Sequence, residues 1–443
     1  MIHKFKFKDI FLVLDINSGA VHIVDDEVFN LLDGMENYSA EEAAVKFNAA
    51  DSIAAKEINQ LIEEEMLFTD DSYITDKMKN NEDSVVKAMC LHVAHDCNMI
   101  CTYCFGEQGT FAGSKCLMSI EVGMKAIDHL IANSGSRRNL EIDFFGGEPL
   151  MNFEVVKKLV DYGRQQEKIF NKNIRFTITT NGLLLDDEKI NYINQTMDNV
   201  ILSIDGRPEV NNKMRKTVNG SPTYDIIKKN YLNFVKKREG LYYVRGTFTR
   251  NNLDFVNDIQ HLVELGFSNV SVEPVVTDLK QSYALQETDR DRIFEEYDRL
   301  TDLYLEKYEN GEEFDFFHFD VDIEQGPCIV KRISGCGAGT EYLAISPEGD
   351  IYPCHQFVGD KNFYIGNIFD QEIINKQRDK FLNASMYNKE DCRNCWAKFY
   401  CSGGCHANAI HMNGDICKPY KLGCDMGKKR LECAVGIYAK TME

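Results

Sequence analysis

Between about residues 88 and 310 the chain alternates six strand-like segments with amphipathic ones, and that order leaves few folds open. The strand candidates cover 89–94, 140–145, 174–180, 199–204, 242–249 and 269–273. Helical periodicity falls at about 119–133, 153–170, 186–197, 222–238, 254–266 and 287–308. Repeated strand–helix–strand order predicts an α/β fold with parallel pairing and right-handed crossovers, as an open sheet or a partial barrel. Chemistry in such folds gathers at the carboxyl ends of the strands.

Cysteine is placed unevenly along the 443 residues. Of fifteen, none precedes Cys90, five lie between Cys90 and Cys116, and ten fall between Cys328 and Cys433. The chain thereby divides into a head (1–75), a middle with one cluster at its entrance (86–310) and a cysteine-rich tail (311–443). No apolar run reaches the roughly 18 residues of a membrane span, and the opening residues lack a signal-peptide core, so a cytoplasmic protein is expected. Thiols there stay reduced, which favours metal ligation over disulfides. A net charge of −20 opposes binding to nucleic acid or to an anionic membrane surface.

In the head, alternation in Phe5-Lys6-Phe7-Lys8, at 11–15 and at 20–24 suggests two strands around a turn. Helices are expected over 26–32, 39–47 and 52–66, and 65–69 is expected to return as a strand, giving a winged-helix-like unit. Residues 70–86, rich in charge and Asn, read as a solvated linker.

Directly after the first strand of the middle comes Cys97-x3-Cys101-x2-Cys104. Structural zinc takes four ligands, usually as two separated pairs, whereas three thiolates of one loop can hold three corners of a 4Fe-4S cube and leave one iron open. The spacing alone leaves zinc as an alternative. Gly146-Gly147-Glu148-Pro149 follows the second strand, Thr179-Thr180-Asn181-Gly182 the third and Ser203-Ile204-Asp205-Gly206 the fourth. The tail carries Cys336, then Gly349-x4-Cys354, Cys392-x2-Cys395-x5-Cys401-x3-Cys405, Cys417, Cys424 and Cys433, too many thiols for one zinc ribbon.

Together these motifs resemble the radical S-adenosylmethionine (radical SAM) enzymes, including the aromatic Tyr103 before the last cysteine of the loop. The resemblance implies a partial (β/α)6 barrel, SAM on the open iron of the Cys97–Cys101–Cys104 cluster, and a methionine amino group at Gly146, Gly147, Glu148 and Pro149. Thr180, Asn181, Ser203 and Asp205 are the implied holders of the ribose and methionine moieties, and Arg215 or Arg245 that of the methionine carboxylate. The tail resembles a SPASM domain with two auxiliary 4Fe-4S clusters, three clusters in all. Carried over, Cys336, Cys354 and Cys405 match the first auxiliary set and Cys392, Cys395 and Cys401 the second. Cys424, or in competition Cys417, would complete the second, while Cys328 is either a fourth ligand of the first or a spare thiol. Cys90, Cys116 and Cys433 fall outside the pattern and read as buried small hydrophobes. Trp396 reads as packing that keeps water off a cluster.

Segments such as Leu91 to Cys97, Asp143 to Leu150, Gly335 to Tyr342 and Tyr352 to Phe357 narrow the resemblance to the maturases of SCIFF peptides (six cysteines in forty-five residues). That implies thioether links, cysteine sulfur to carbon, in a ribosomally made cysteine-rich precursor peptide, with an external one-electron reductant. The head then resembles an element that captures the leader peptide as an added strand. The alternatives are another SPASM enzyme, a sulfatase-type maturase or one forming carbon–carbon links, and more remotely a zinc-stabilised binding protein.

Overall fold

The structure, a computed structural model, describes residues 1–48, 52–72, 74–76, 84–323, 333 and 335–442. Cys328 and residues 73 and 77–83 of the expected linker lie outside the described residues. The head contributes β1 (Ile2–Phe7), β2 (Ile10–Asp15) and β3 (Val21–Val24), an antiparallel sheet in that order. Then come β4 (Ala88–His95), β5 (Met99–Cys101), β6 (Cys116–Leu117), β7 (Asn139–Gly146), β8 (Asn173–Thr180), β9 (Asn199–Ser203), β10 (Arg215–Thr217), β11 (Leu241–Phe248) and β12 (Asn269–Pro274). The tail begins around β13 (Asp315–Phe316) and adds β14 (Tyr342–Ile345), β15 (Asp350–Tyr352) and β16 (Gly366–Asn367).

One sheet runs β13-β12-β11-β9-β8-β7-β4-β14-β15-β16. Every pair from β13 across to β14 is parallel, as the strand–helix alternation predicts, while β15 and β16 turn back antiparallel. Tail residues thus extend the sheet itself: Tyr342 pairs with Ala88 and Ile345 with Leu91. Further along the same strand, β6 pairs antiparallel with the end of β4, setting Cys116 opposite His95.

Alternation decides which face meets the helices. Leu140, Ile142 and Phe144 of β7 and Ile174, Phe176 and Ile178 of β8 are buried in one core with Val156, Leu159 and Val160 of the helix Phe153–Phe170. Glu141, Asp143 and Phe145 therefore point to the opposite, concave face. Local chemistry fixes the helix starts: Ser119 accepts from the Val122 amide and Asp186 from the Lys189 amide. Among the described residues no helix is long and apolar enough to cross a membrane.

The head departs from expectation in two places. It has three strands rather than two, because Val21–Val24 pairs with Phe11–Leu14 after the Asn17–Gly19 turn. Residues 65–69 form no strand. Glu65 and Phe68 take positive φ values of 55° and 57°, and the adjacent Leu67 and Phe68 are both buried in the head core, which an alternating strand does not allow. Trp396 packs in apolar groups that include Cys392 and Cys395, and it also joins tail to head: its ring stacks on His3 at 3.7 Å. The same joint includes Phe7 against Gly436, where a Cβ would lie 2.2 Å from the ring, and the His3–Glu432 contact at 3.0 Å.

Phe176 is fully buried, stacks on Phe144 at 5.7 Å and lies under the Arg164 guanidinium at 4.8 Å. Phe176→Ala is expected to destabilise the barrel by about 3–5 kcal/mol. Denaturant unfolding of the full chain checks this; a change below about 1 kcal/mol contradicts the packing described.

Candidate functional site

The cysteine loop is held from below by backbone. The Gly147 amide donates to the Ala94 carbonyl at 2.8 Å and the Glu148 amide to that of Asp96 at 2.9 Å. A Cβ on Gly146 would sit 2.2 Å from the Ala94 oxygen, and one on Gly147 2.2 Å from the Asp96 oxygen. Gly146 also has φ +125°, so only glycine allows this approach. From the other side β10 pairs with β5, bringing Arg215 opposite Cys101.

The strand ends then close around the loop. Glu148 is fully buried; it accepts from the Leu150 amide at 3.0 Å, the Thr180 hydroxyl at 2.8 Å and the Asn181 amide at 2.7 Å. Three of its roughly four acceptor positions are thus used within the chain, leaving one on the oxygen that takes Asn181. Burial pushes this carboxyl up to about 7 while those donors pull it down, so a cation at the free position would favour its ionised form. The Asn181 side chain donates to Asn98 at 2.7 Å and reaches the Cys97 sulfur at 3.7 Å.

Asp205, also fully buried, accepts from the Tyr103 hydroxyl at 2.8 and 2.9 Å and from the Thr247 amide at 3.1 Å. Arg215 donates to the same Tyr103 oxygen at 3.0 Å. Burial raises Asp205 to about 6, while Arg215, the Tyr103 hydroxyl and the Thr247 amide act to lower it. Of the two candidate arginines, Arg215 is the buried one at the loop. Arg245 is half-exposed on β11, beside Ser203 in register and 3.9 Å from Glu273. Sequence reasoning missed Tyr231, whose hydroxyl donates to the carbonyls of Thr180 at 2.9 Å and Ser203 at 3.2 Å, tying two strand ends. No local motif marks it; it is one more apolar-face residue of an amphipathic helix.

The thiols fall into groups by mutual electrostatic influence. Burial first, and among the lesser causes Cys101 and Cys104, push Cys97 up to about 12; burial likewise raises Cys101 to about 11. In the tail, Cys354 is raised by burial and then by Cys336 and Cys405. Cys424 is pushed up to about 12 by burial and then by Cys401, Cys392 and Cys395. Cys417 packs instead against the apolar group containing Cys354, Phe357 and Phe381. Cys90 and Cys433 are buried, as read from sequence, but Cys116 is half-exposed and donates to Glu348 at 3.0 Å.

Lys389 was not singled out in the sequence either. It is fully buried, donates to the Gly403 carbonyl at 2.8 Å, and lies within the field of Cys392, Cys417, Cys401 and Cys405. Burial lowers the pKa of this amine, and what would hold it as an ammonium is nearby negative charge. Metal–thiolate groups carry it, so the donor sets and this lysine fit iron–sulfur clusters. A cleft of about 610 Å³, lined by Val86, His129, Thr340 and Arg378, lies by the amino end of β4, the opposite end of that strand from Cys97.

Comparison with known proteins agrees with this chemistry. A family model described as a 4Fe-4S single cluster domain matches residues 86–227, and one described as an iron–sulfur cluster-binding domain, SPASM, matches 336–396. The radical SAM cyclopropyl synthase TigE of Paramaledivibacter caminithermalis is 25% identical over 91% of this chain and 89% of its own length. A cysteine-type anaerobic sulfatase-maturating enzyme of Clostridium perfringens is 27% identical over 70% of this chain and 85% of its own. The structure of Streptococcus suis SuiB bound to precursor peptide SuiA, 16% identical, superposes over 95% of this chain and all of that one with a TM-score of 0.54, a likeness of fold. A parallel α/β sheet carrying a three-thiol loop at its carboxyl end is thus the fold of a radical SAM enzyme. The chain is a radical SAM protein with a C-terminal SPASM domain, homologous to the anaerobic sulfatase maturases and to TigE.

Because Cys97, Cys101, Cys392 and Cys424 all sit at about 11 to 12 without metal, they are protonated at pH 7. Metal binding must displace those protons, so affinity rises with pH below 11, by roughly tenfold per unit for each proton released. Calorimetry of Zn2+ binding to the metal-free chain in two buffers of different ionisation enthalpy should show at least two protons released; none released contradicts the burial described.

Proposed function

We propose that this chain is a SCIFF-type peptide maturase forming thioether links in a ribosomally made, cysteine-rich precursor. The observation that supports the reading is that Cys336 and Cys354 flank β14 and β15 of the sheet that carries the three-thiol loop, while a second thiol group gathers on the helices that follow. In this reading residues 1–75 recognise the leader, 86–310 form the barrel and 311–443 the SPASM domain. Cys97, Cys101 and Cys104 hold the SAM-binding cluster; Cys336, Cys354 and Cys405 hold the first auxiliary cluster and Cys392, Cys395, Cys401 and Cys424 the second, making three. Cys328 is proposed to complete the first auxiliary set or to remain spare.

SAM on the reduced first cluster would supply the radical that takes the acceptor hydrogen, and the auxiliary clusters would accept the remaining electron. Each link removes one S–H and one C–H hydrogen and forms one S–C bond, with the thiol proton released to solvent. The chain's part is placement. Glu148 offers its free acceptor position to the methionine ammonium, Arg215, beside Cys101, its charge to the carboxylate, and Thr180, Asn181, Ser203 and Asp205 a polar rim. The head offers an edge for the leader: among the described residues β3 pairs only with β2, and Ile23 on it is exposed. SuiB bound to its precursor peptide supports a peptide partner of this kind.

Two experiments test the reading. Iron-loaded enzyme, SAM, a low-potential reductant and the precursor should give a product two hydrogens lighter per link, with fragmentation placing the bond between a cysteine sulfur and a carbon. A carbon–carbon bond or an oxidised cysteine side chain in the product overturns it. Separately, Cys424→Ala should lose about a third of the iron if three four-iron clusters form, whereas Cys417→Ala should keep it; the reverse result reassigns the ligand.

A further inference from the structure

Outside the three thiol groups, one more set of donors converges, from three separated segments. His95 ends β4, Cys116 lies directly opposite it on β6, and Glu348 sits in the turn between β14 and β15. One donor atom of each, an imidazole nitrogen, the sulfur and a carboxylate oxygen, lies within 4.8 Å of both others. The Cys116 thiol already donates to Glu348 at 3.0 Å.

The surroundings give this set a front and a back. His95 is buried, with its ring stacked on Phe111 at 4.8 Å, while Cys116 is half-exposed and Glu348 exposed, leaving an entry path from solvent. Behind His95 lies His92, fully buried, with its Nδ1 3.2 Å from Nε2 of His95 and its own Nε2 without a partner. That contact engages Nε2 of His95 and leaves Nδ1 for a metal, with a second imidazole fixing the ring, the arrangement that orients histidine ligands.

We propose that His95, Cys116 and Glu348 form a mononuclear site for a zinc-type divalent cation, separate from the iron–sulfur clusters. One nitrogen, one thiolate and one carboxylate oxygen are a mixed, borderline-soft donor set of the kind zinc takes, with the fourth position open to water. Tetrahedral zinc holds its donors roughly 3.3–3.8 Å apart, so closure asks each side chain to move on the order of 1 Å. Binding replaces the proton shared between Cys116 and Glu348, which leaves to solvent. The ion would join the strand that leads into Cys97 to the hairpin that leads into Cys354, reinforcing the β14–β4 seam.

The test uses the full chain, iron-loaded anaerobically, equilibrated with Zn2+ and desalted, with zinc and iron counted together. Wild type is expected to hold one zinc per chain that both Cys116→Ser and Glu348→Gln lose, at unchanged iron. X-ray absorption at the zinc edge should show one sulfur among nitrogen and oxygen neighbours. Equal zinc in wild type and both variants overturns the proposal, as does a four-sulfur zinc environment, which would put the ion in a cluster site. Loss of iron in step with zinc in both variants would show these residues serving a cluster, and equally overturns a separate site.

Discussion

The chemistry at the head of the barrel depends on an approach of two backbones that side chains would forbid. Gly146 and Gly147 lie against the Ala94 and Asp96 carbonyls, and both following amides are spent on those oxygens. This fixes the height of β7 relative to the start of the cysteine loop. It also sets the buried Glu148 where it clamps Thr180 and Asn181, and through Asn181 the third strand end reaches Cys97. The resemblance gives these glycines to the methionine amino group; in the structure they also make room for the protein's own chain.

Much of the fold was legible because periodicity and burial agree. Each of the six middle strands lies where its apolar pattern put it, since each contributes buried residues to one core shared with the helices. The head was less legible at 65–69, where two consecutive buried residues and two left-handed residues break the pattern that made it resemble a strand. The spacing of the loop thiols was legible, but how Cys424 and Cys417 are placed relative to the other tail thiols was not. It depends on how the helix Lys421–Thr441 turns one thiol toward Cys401 while Cys417, before the helix begins, packs near Cys354. Tyr231, Lys389 and the partners of Cys116 were invisible for the same reason: each acts across contacts far apart in sequence.

Charge is buried here in matched portions. Asp205 and Arg215 meet through one phenolic oxygen, Glu148 is surrounded by three donors, and Lys389 stands between thiols of both tail groups. Isolated, each would be costly to bury; arranged together they are oriented dipoles and charges in place before any ligand arrives. Their geometry is thus a property of the folded chain.

The pairing of β14 with β4 has a consequence for how the molecule is made. On a ribosome, β4 emerges long before residues 342–345, and until they arrive one of its edges has no parallel partner. An open edge on a central strand is a template for wrong pairing. Only the short β6 is available early to cover its end, at Ala94 and His95. A nascent chain arrested before the tail would therefore present an adhesive barrel, so the cysteine-rich tail acts as a late-arriving chaperone strand for the barrel that precedes it.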